Sequence, residues 1–385
     1  MAGPLSDIRI IELAGLGALP YGSLRLADMG AEVIRVERLA DVPPSADRTP
    51  RRYSSWDRGR RSIAVDLKHP DGVEAALKLC DQADILIEGF RPGVMERLGL
   101  GPDVVFGRNA RMVYGRMTGW GQDGPIARTA GHDINYIALS GALYCIGTKE
   151  SGPVPPLNLV GDFGGGAVYM AMGALAAYIN AQKTGQGQVV DTSMVEGAAS
   201  LMTSAYGALA SGAFIEERQS NRLDGGSHHY STYETADGEH IALGPNEPQF
   251  YKLMLETVGL GDATDLPAQT DRTQWPAMQQ RLAAIFKTKT RDEWTAIMQD
   301  IDVCYAPVLR MSEAMKHPHN VHRGSFVDVD GVPQPGPVPR FDSTPSEVKA
   351  VPAFAGQHTR DALAEWGFDE SAIAALETSG AARQL

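Results

Sequence analysis

The first 120 residues switch repeatedly between two hydrophobic periods, and this constrains the fold more than any single motif. IRIIEL (8–13) is a short β-rich run, PYGSLRLADMG has helical spacing and stops at Gly30, and EVIRVE (32–37) is again a strand pattern. Together they make a βαβ unit. After a loop rich in Arg, Pro and Ser at about 39–61, SIAVDL reads as a strand and PDGVEAALKLCDQ as a helix opened by Pro70 and Asp71. ADILIEG and RMVYGRMTG are two further strands, separated by the short helical pieces VMERLG and PDVVFGRN. Such alternation predicts an α/β fold with a mainly parallel, doubly wound sheet and a ligand site beyond the carboxyl ends of its strands.

At 385 residues the chain exceeds the usual size of one domain. We expect a large Rossmann-like domain over 1–200, completed by 330–385, a helical linker over 200–225 and a small α+β domain over 225–325. The small domain is signalled by YETADGEHIALG, a hairpin pattern around Asp237-Gly238, followed by helical segments. The net charge of −12 argues against nucleic acid or an anionic membrane surface as main partner, while leaving room for local basic patches. Cys80, Cys145 and Cys304 are widely spaced and form no CxxC, which fits a reducing compartment. MAGPLSDIRIIEL has no basic lead, so it does not read as a signal peptide, and the expected location is cytoplasmic. GAVYMAMGALAAYINA (166–181) reads as a buried helix, too short and too polar at its end for a membrane span.

Three acid/base candidates stand out. In LNLVGDFGGG, Asp162 occupies a glycine-rich turn before an apolar helix; it either serves a spot that stabilises negative charge or caps a helix beginning near Gly164. In GHDINY, His132 sits beside Asp133 in a stretch read as a loop, where it is either structural or suited to proton transfer near neutrality. In NEPQFY, Glu247 precedes a helix and is either an N-terminal dipole partner or a functional acid.

The first turn, GLGALP, has Pro20 where a dinucleotide fingerprint needs its third glycine, which speaks against NAD although Glu37 lies near the ribose-binding position. Arg51, Arg52, Arg58, Arg60, Arg61 and Lys68, with Arg91 and Arg97 further on, form either a solvated face or a seat for a polyphosphate. His317, His319 and His322 have no cysteine or aspartate beside them in sequence, so no metal site is expected.

Taken together, PLSDIRIIELAG, LADMGAEVIRVER, RSIAVDLKHPDG, ADILIEGFRPGVMERLGLG, RMTGWGQDGP, GHDINY, LNLVGDFGGG, GQGQVVDTSMVEG and GPNEPQFY resemble the family III CoA-transferase (CaiB/BaiF-like) superfamily, and within it the racemases of 2-methylacyl-CoA thioesters. The resemblance runs through essentially the whole chain. It implies that His132 and Asp162 are the acid/base pair and that Glu247 supports the histidine, reaching it across an interlocked homodimer. It implies that the phosphates of CoA lie near Arg38, Lys68, Arg91 and Arg97, and that Val65, Leu67, Gly89 and Phe90 hold adenine and pantetheine. The acyl-CoA is then the substrate, with no cofactor, metal, nucleic acid or membrane partner. The alternatives are a CoA-transferase of the same superfamily, using Asp162 as nucleophile, and a non-catalytic acyl-CoA binder. His132 favours the racemase, since only inversion needs a second base.

Overall fold

A computed structural model describes residues 3–13, 15–44 and 51–385. Met1 and Ala2, and the middle of the expected 39–61 loop, lie outside the described residues. The chain divides into two units, one of Met1–Ser140, Leu157–Leu201 and His319–Leu385, the other of Gly141–Pro156 and Met202–Pro318.

The first unit is built on a seven-stranded sheet. Its parallel strands are β1 (Arg9–Leu13), β2 (Glu32–Glu37), β3 (Arg61–Val65), β4 (Ile85–Glu88), β5 (Val113–Thr118) and β6 (Gln188–Ser193), ordered 3-2-1-4-5-6, with Ala382–Arg383 antiparallel on the β3 edge. Register is set by the apolar alternation: Ile11 lies opposite Ile34 on one side and Leu86 on the other. Ile11, Leu13, Ile34, Leu86 and Tyr114 face one core with α2 (Pro70–Cys80) and Trp366. Ile10, Val33, Ile85, Ile87 and Val113 face the other, with α1 (Ala18–Asp28) and α4 (Tyr169–Thr184). Strand order reverses between β1 and β4, so the loops after these two strands diverge and leave a crevice at their carboxyl ends.

The glycine-rich stretch departs from its reading as a turn. Leu159–Val168 is a π-helix, with Phe163 N–H donating to the Asn158 carbonyl, and it runs directly into α4. The continuous helix Leu159–Thr184 spans 26 residues, longer than the sequence reading allowed, and is long and apolar enough by composition to cross a membrane. One face, including Met170, Ala174 and Ala177, is buried on the sheet, while Val168, Met172 and Ile179 are exposed. Glycine ordinarily weakens a helix interior, but here neighbouring backbones require it. A Cβ at Gly197, in α5 (Met194–Leu201), would sit 1.8 Å from the Gly165 carbonyl oxygen, and one at Gly165 would sit 2.6 Å from Ala198 N.

The second unit holds a three-stranded antiparallel sheet of β7 (Ser231–Glu234), β8 (His240–Leu243) and β9 (Tyr305–Pro307). The hairpin falls where the alternation placed it, with Gly238 at φ 79° in the turn. Tyr233, Ile241 and Leu243 pack against α6 (Pro248–Thr257), α7 (Trp275–Phe286) and α8 (Arg291–Met298). Thr290 and Glu293 cap α8 reciprocally, at 3.2 and 2.8 Å.

Candidate active site and ligand cavity

Beyond β5 the chain forms the short helix α3 (Asp133–Leu139), packed on α5 and the π-helix. His132 is its N-cap: the His132 carbonyl accepts from Asn135 N–H at 2.8 Å, and His132 N–H donates to the Asn135 side chain at 3.0 Å. These bonds fix the backbone and leave the imidazole exposed. The next residue, Asp133, points inward; its Oδ1 accepts the Asp162 backbone N–H at 2.6 Å, while its buried Oδ2 has no protein partner. A Cβ at Gly161 would meet this carboxylate at 2.5 Å, so glycine is needed for the close approach.

Asp162 therefore sits in the first turn of a long helix, not ahead of it as a cap. Its half-buried carboxylate accepts from Asn158 Nδ2 at 3.3 Å. Burial raises its proton affinity above the ordinary aspartate value; the Asn158 bond opposes this, the Asp133 charge adds to it and His132 opposes it. The charge of Asp162 in turn adds to the effect of burial in raising Tyr136, an effect that Arg91 opposes. Tyr136 is held edge-on to Trp120 at 4.8 Å, and its O–H donates to the Gly131 carbonyl. His132, Asp133, Tyr136, Asp162 and Arg91 thus share one electrostatic field, and Gly17, at the start of α1, passes close to Asp162 Oδ2.

At the crevice between β1 and β4 the first unit has a cavity of about 1210 Å³. Arg38, Val65, Leu67, Lys68 and Phe90 line it; Gly89, Arg91 and Arg97 lie on the segment that carries Phe90 but do not line it. Arg38 is exposed and forks onto Asp41 at 2.8 and 2.9 Å. Two further lining residues, Arg51 and Trp56, received no individual role from the sequence.

The arginine-rich run does not present a free polyphosphate seat. Arg58 and Arg60 are buried: Arg58 pairs with Asp28 at 2.9 Å, and Arg60 pairs with Glu12 and Asp57. Arg61 pairs with Glu365, and Arg51 with Asp57 at 3.0 Å. Arg58 and Arg60 neutralise the buried Asp28 and Glu12, carboxylates contributed by distant segments, a partnership no local charge count reveals. Glu37, the would-be ribose ligand, is bound to Arg35 at 2.6 Å and to Ser62.

Glu247 belongs to the second unit, where it is the exposed N-cap residue of α6 and makes no side-chain capping bond. The missed residues of the site are Asp133 and Asn158. Asp133 lies inside GHDINY, but adjacency to His132 does not tell which way a side chain points.

A doubly wound sheet with a large cavity at its switch point and, in the same unit, a carboxylate of raised proton affinity defines an α/β protein suited to an extended ligand presented to acid/base groups. The chain belongs to CoA-transferase family III, whose model matches residues 5–359. It is 43% identical over 377 residues to the α-methylacyl-CoA racemase of Mus musculus, covering 97% of this chain and 96% of that protein. It is 42% identical to the α-methylacyl-CoA racemase of Homo sapiens, again covering 97% and 96%. Among solved structures, a CaiB/BaiF family protein from Brucella suis shares the fold with a TM-score of 0.82 at 23% identity, covering 95% of this chain and all of that one.

Proposed function

We propose that the protein is a racemase that interconverts (2R)- and (2S)-2-methylacyl-CoA thioesters. The reading rests on the likeness to racemases over nearly the whole chain, and within the site on one observation: Asp162 holds its proton more tightly than an ordinary aspartate, in the same field as His132. The α-proton of a thioester is weakly acidic, so inversion needs a base on one face, an acid on the other and stabilisation of the enolate oxygen. Neutral His132 facing protonated Asp162 runs the reaction one way. Protonated His132 facing ionised Asp162 runs it back. The amino-terminal turn of the helix carrying Asp162 helps hold the enolate charge.

In this reading CoA occupies the 1210 Å³ cavity. Its phosphates lie near the lining residues Arg38 and Lys68, with Arg91 and Arg97 on the adjoining segment, and its adenine and pantetheine run along Val65, Leu67 and Phe90, next to Gly89. The acyl-CoA is the substrate; proton exchange involves no net oxidation, so it needs no redox cofactor, and the two side chains serve as acid and base without a further group. The protein acts as an interlocked homodimer in which Glu247 of the partner subunit supports His132; the exposed apolar residues of the Leu159–Thr184 helix give this some physical basis. A cytoplasmic setting and a role in lipid metabolism complete the proposal.

The competing reading within the family is CoA transfer, with the Asp162 carboxylate attacking the thioester, expelling CoA thiolate and leaving an acyl anhydride. Incubation of one enantiomer of a 2-methylacyl-CoA in D₂O, without an acceptor acid, separates the two. Racemisation gives α-deuterium incorporation and loss of optical purity. No exchange, but CoA movement once a free carboxylic acid is added, makes Asp162 a nucleophile and overturns the proposal.

A further inference from the structure

The last residue of β4 is a fully buried glutamate that the proposed proton transfers do not use. Both oxygens of Glu88 are occupied: Oε2 accepts the backbone N–H of Phe90 at 2.7 Å, and Oε1 accepts Arg116 Nε from β5 at 2.9 Å. Arg116 is itself buried and uses its other two nitrogens on Glu96, at 2.7 and 3.3 Å. Glu96 stands on the single helical turn Val94–Arg97. The segment after β4 is therefore tied to the sheet twice, at Phe90 through Glu88 and at Glu96 through Arg116. Three of its residues, Phe90, Val94 and Leu98, line the cavity.

A carboxylate taken wholly out of water is costly unless its partners are well placed, and an apolar residue at this strand end would pack with less penalty. The geometry points to a purpose for the charge: we infer that Glu88 is a positioning residue for the ligand cavity, its ionised carboxylate clamping the Phe90–Leu98 wall to β5 through the Phe90 N–H and the Arg116–Glu96 pair. This inference rests on the reading of the cavity as the CoA site.

The clamp has a built-in dependence on pH. Burial pushes the Glu88 carboxyl up to about 7, against the pull of the Phe90 N–H and Arg116. The charged and titratable groups facing it are Arg116 and Tyr114 from β5 and Glu96 from the helical turn; β1 presents the apolar Leu13 on this face. As pH falls through about 7, Glu88 gains a proton, Arg116 keeps only Glu96 as ionic partner and the Phe90 end of the wall loosens.

The test is calorimetric titration of the full-length protein with free CoA, below and above neutrality, for wild type, Glu88→Gln and Glu96→Gln. Glutamine keeps the shape and an acceptor for the Phe90 N–H while removing the charge. For Glu88→Gln we expect a Kd about tenfold weaker than wild type above neutrality. Wild-type affinity falls toward that of the variant as pH drops through neutrality. The titration of CoA's own phosphate is common to both proteins, so the difference between them reports Glu88. With the acyl-CoA substrate the loss appears in KM, with kcat altered far less. Glu96→Gln changes an exposed side chain, and an expected weakening of about threefold keeps the inference testable if Glu88→Gln folds poorly. Folded variants that bind CoA with the wild-type Kd and the wild-type pH profile overturn it. A wild-type protein that binds no CoA overturns the cavity reading before any variant is considered, and this inference with it.

Discussion

The buried carboxylate of Asp133 accepts the backbone N–H of Asp162 at 2.6 Å, linking the residue after one proposed base directly to the other. Its charge also adds to the burial that raises Asp162's proton affinity. Asp133→Asn keeps an acceptor for the N–H and removes the charge, so it should lower the Asp162 pKa. In the direction that needs ionised Asp162, the acid limb of kcat/KM then moves to lower pH by up to about one unit. A profile identical to wild type would show that Asp133 acts through shape alone.

Replacing either proposed base removes one face of the reaction. His132→Ala and Asp162→Ala should each lower inversion by at least about 10²-fold while CoA affinity changes little. Chirality measurements paired with CoA titration check both halves, and a variant that inverts its substrate at the wild-type rate would sink the assignment.

The crossing of the Asp162 helix with α5 tolerates no side chain. A methyl at Gly197 would overlap the Gly165 carbonyl oxygen, only 1.8 Å away, and the backbone there has no flexible tip to give way. Gly197→Ala should cost more than about 2 kcal/mol of stability, or abolish soluble expression, as read by denaturant unfolding. A melting curve unchanged from wild type would refute the close crossing.

Val168, Met172 and Ile179 are each at least half exposed along one side of the same helix. If the homodimer covers them, Met172→Glu should shift the protein to monomer at micromolar concentration in light scattering. A dimer of undiminished strength would place the interface elsewhere.

His228 and His229 are buried together among Tyr251 and Trp275, each with Nδ1 unpartnered, and burial lowers both from 6.5 to about 4. Because the folded-state values are depressed, the stability linked to these groups is fully present above about 6.5 and is lost as pH falls toward 4. Up to about 3 kcal/mol per imidazole is at stake. His229→Phe, among aromatic neighbours, should flatten roughly half of that slope in chemical denaturation measured across this range. An unchanged slope would assign the acid sensitivity to other groups.

By itself the sequence determined the parallel sheet, because alternating periods of two and 3.6 leave a buried strand few other homes, and β2 runs over the same residues, Glu32–Glu37, as its pattern. It also singled out His132, Asp162 and Glu247, since a histidine or carboxylate among glycines and apolar residues is conspicuous locally. Only the tertiary structure decided what the glycines of LNLVGDFGGG are for: they let α5 and the π-helix touch backbone to backbone, a contact between segments far apart in the chain. It likewise turned Asp133 inward and committed Arg58 and Arg60 to Asp28 and Glu12. Periodicity is a property of neighbours along the chain. The partner of a buried charge is a property of neighbours in space, and several segments must fold together before it exists.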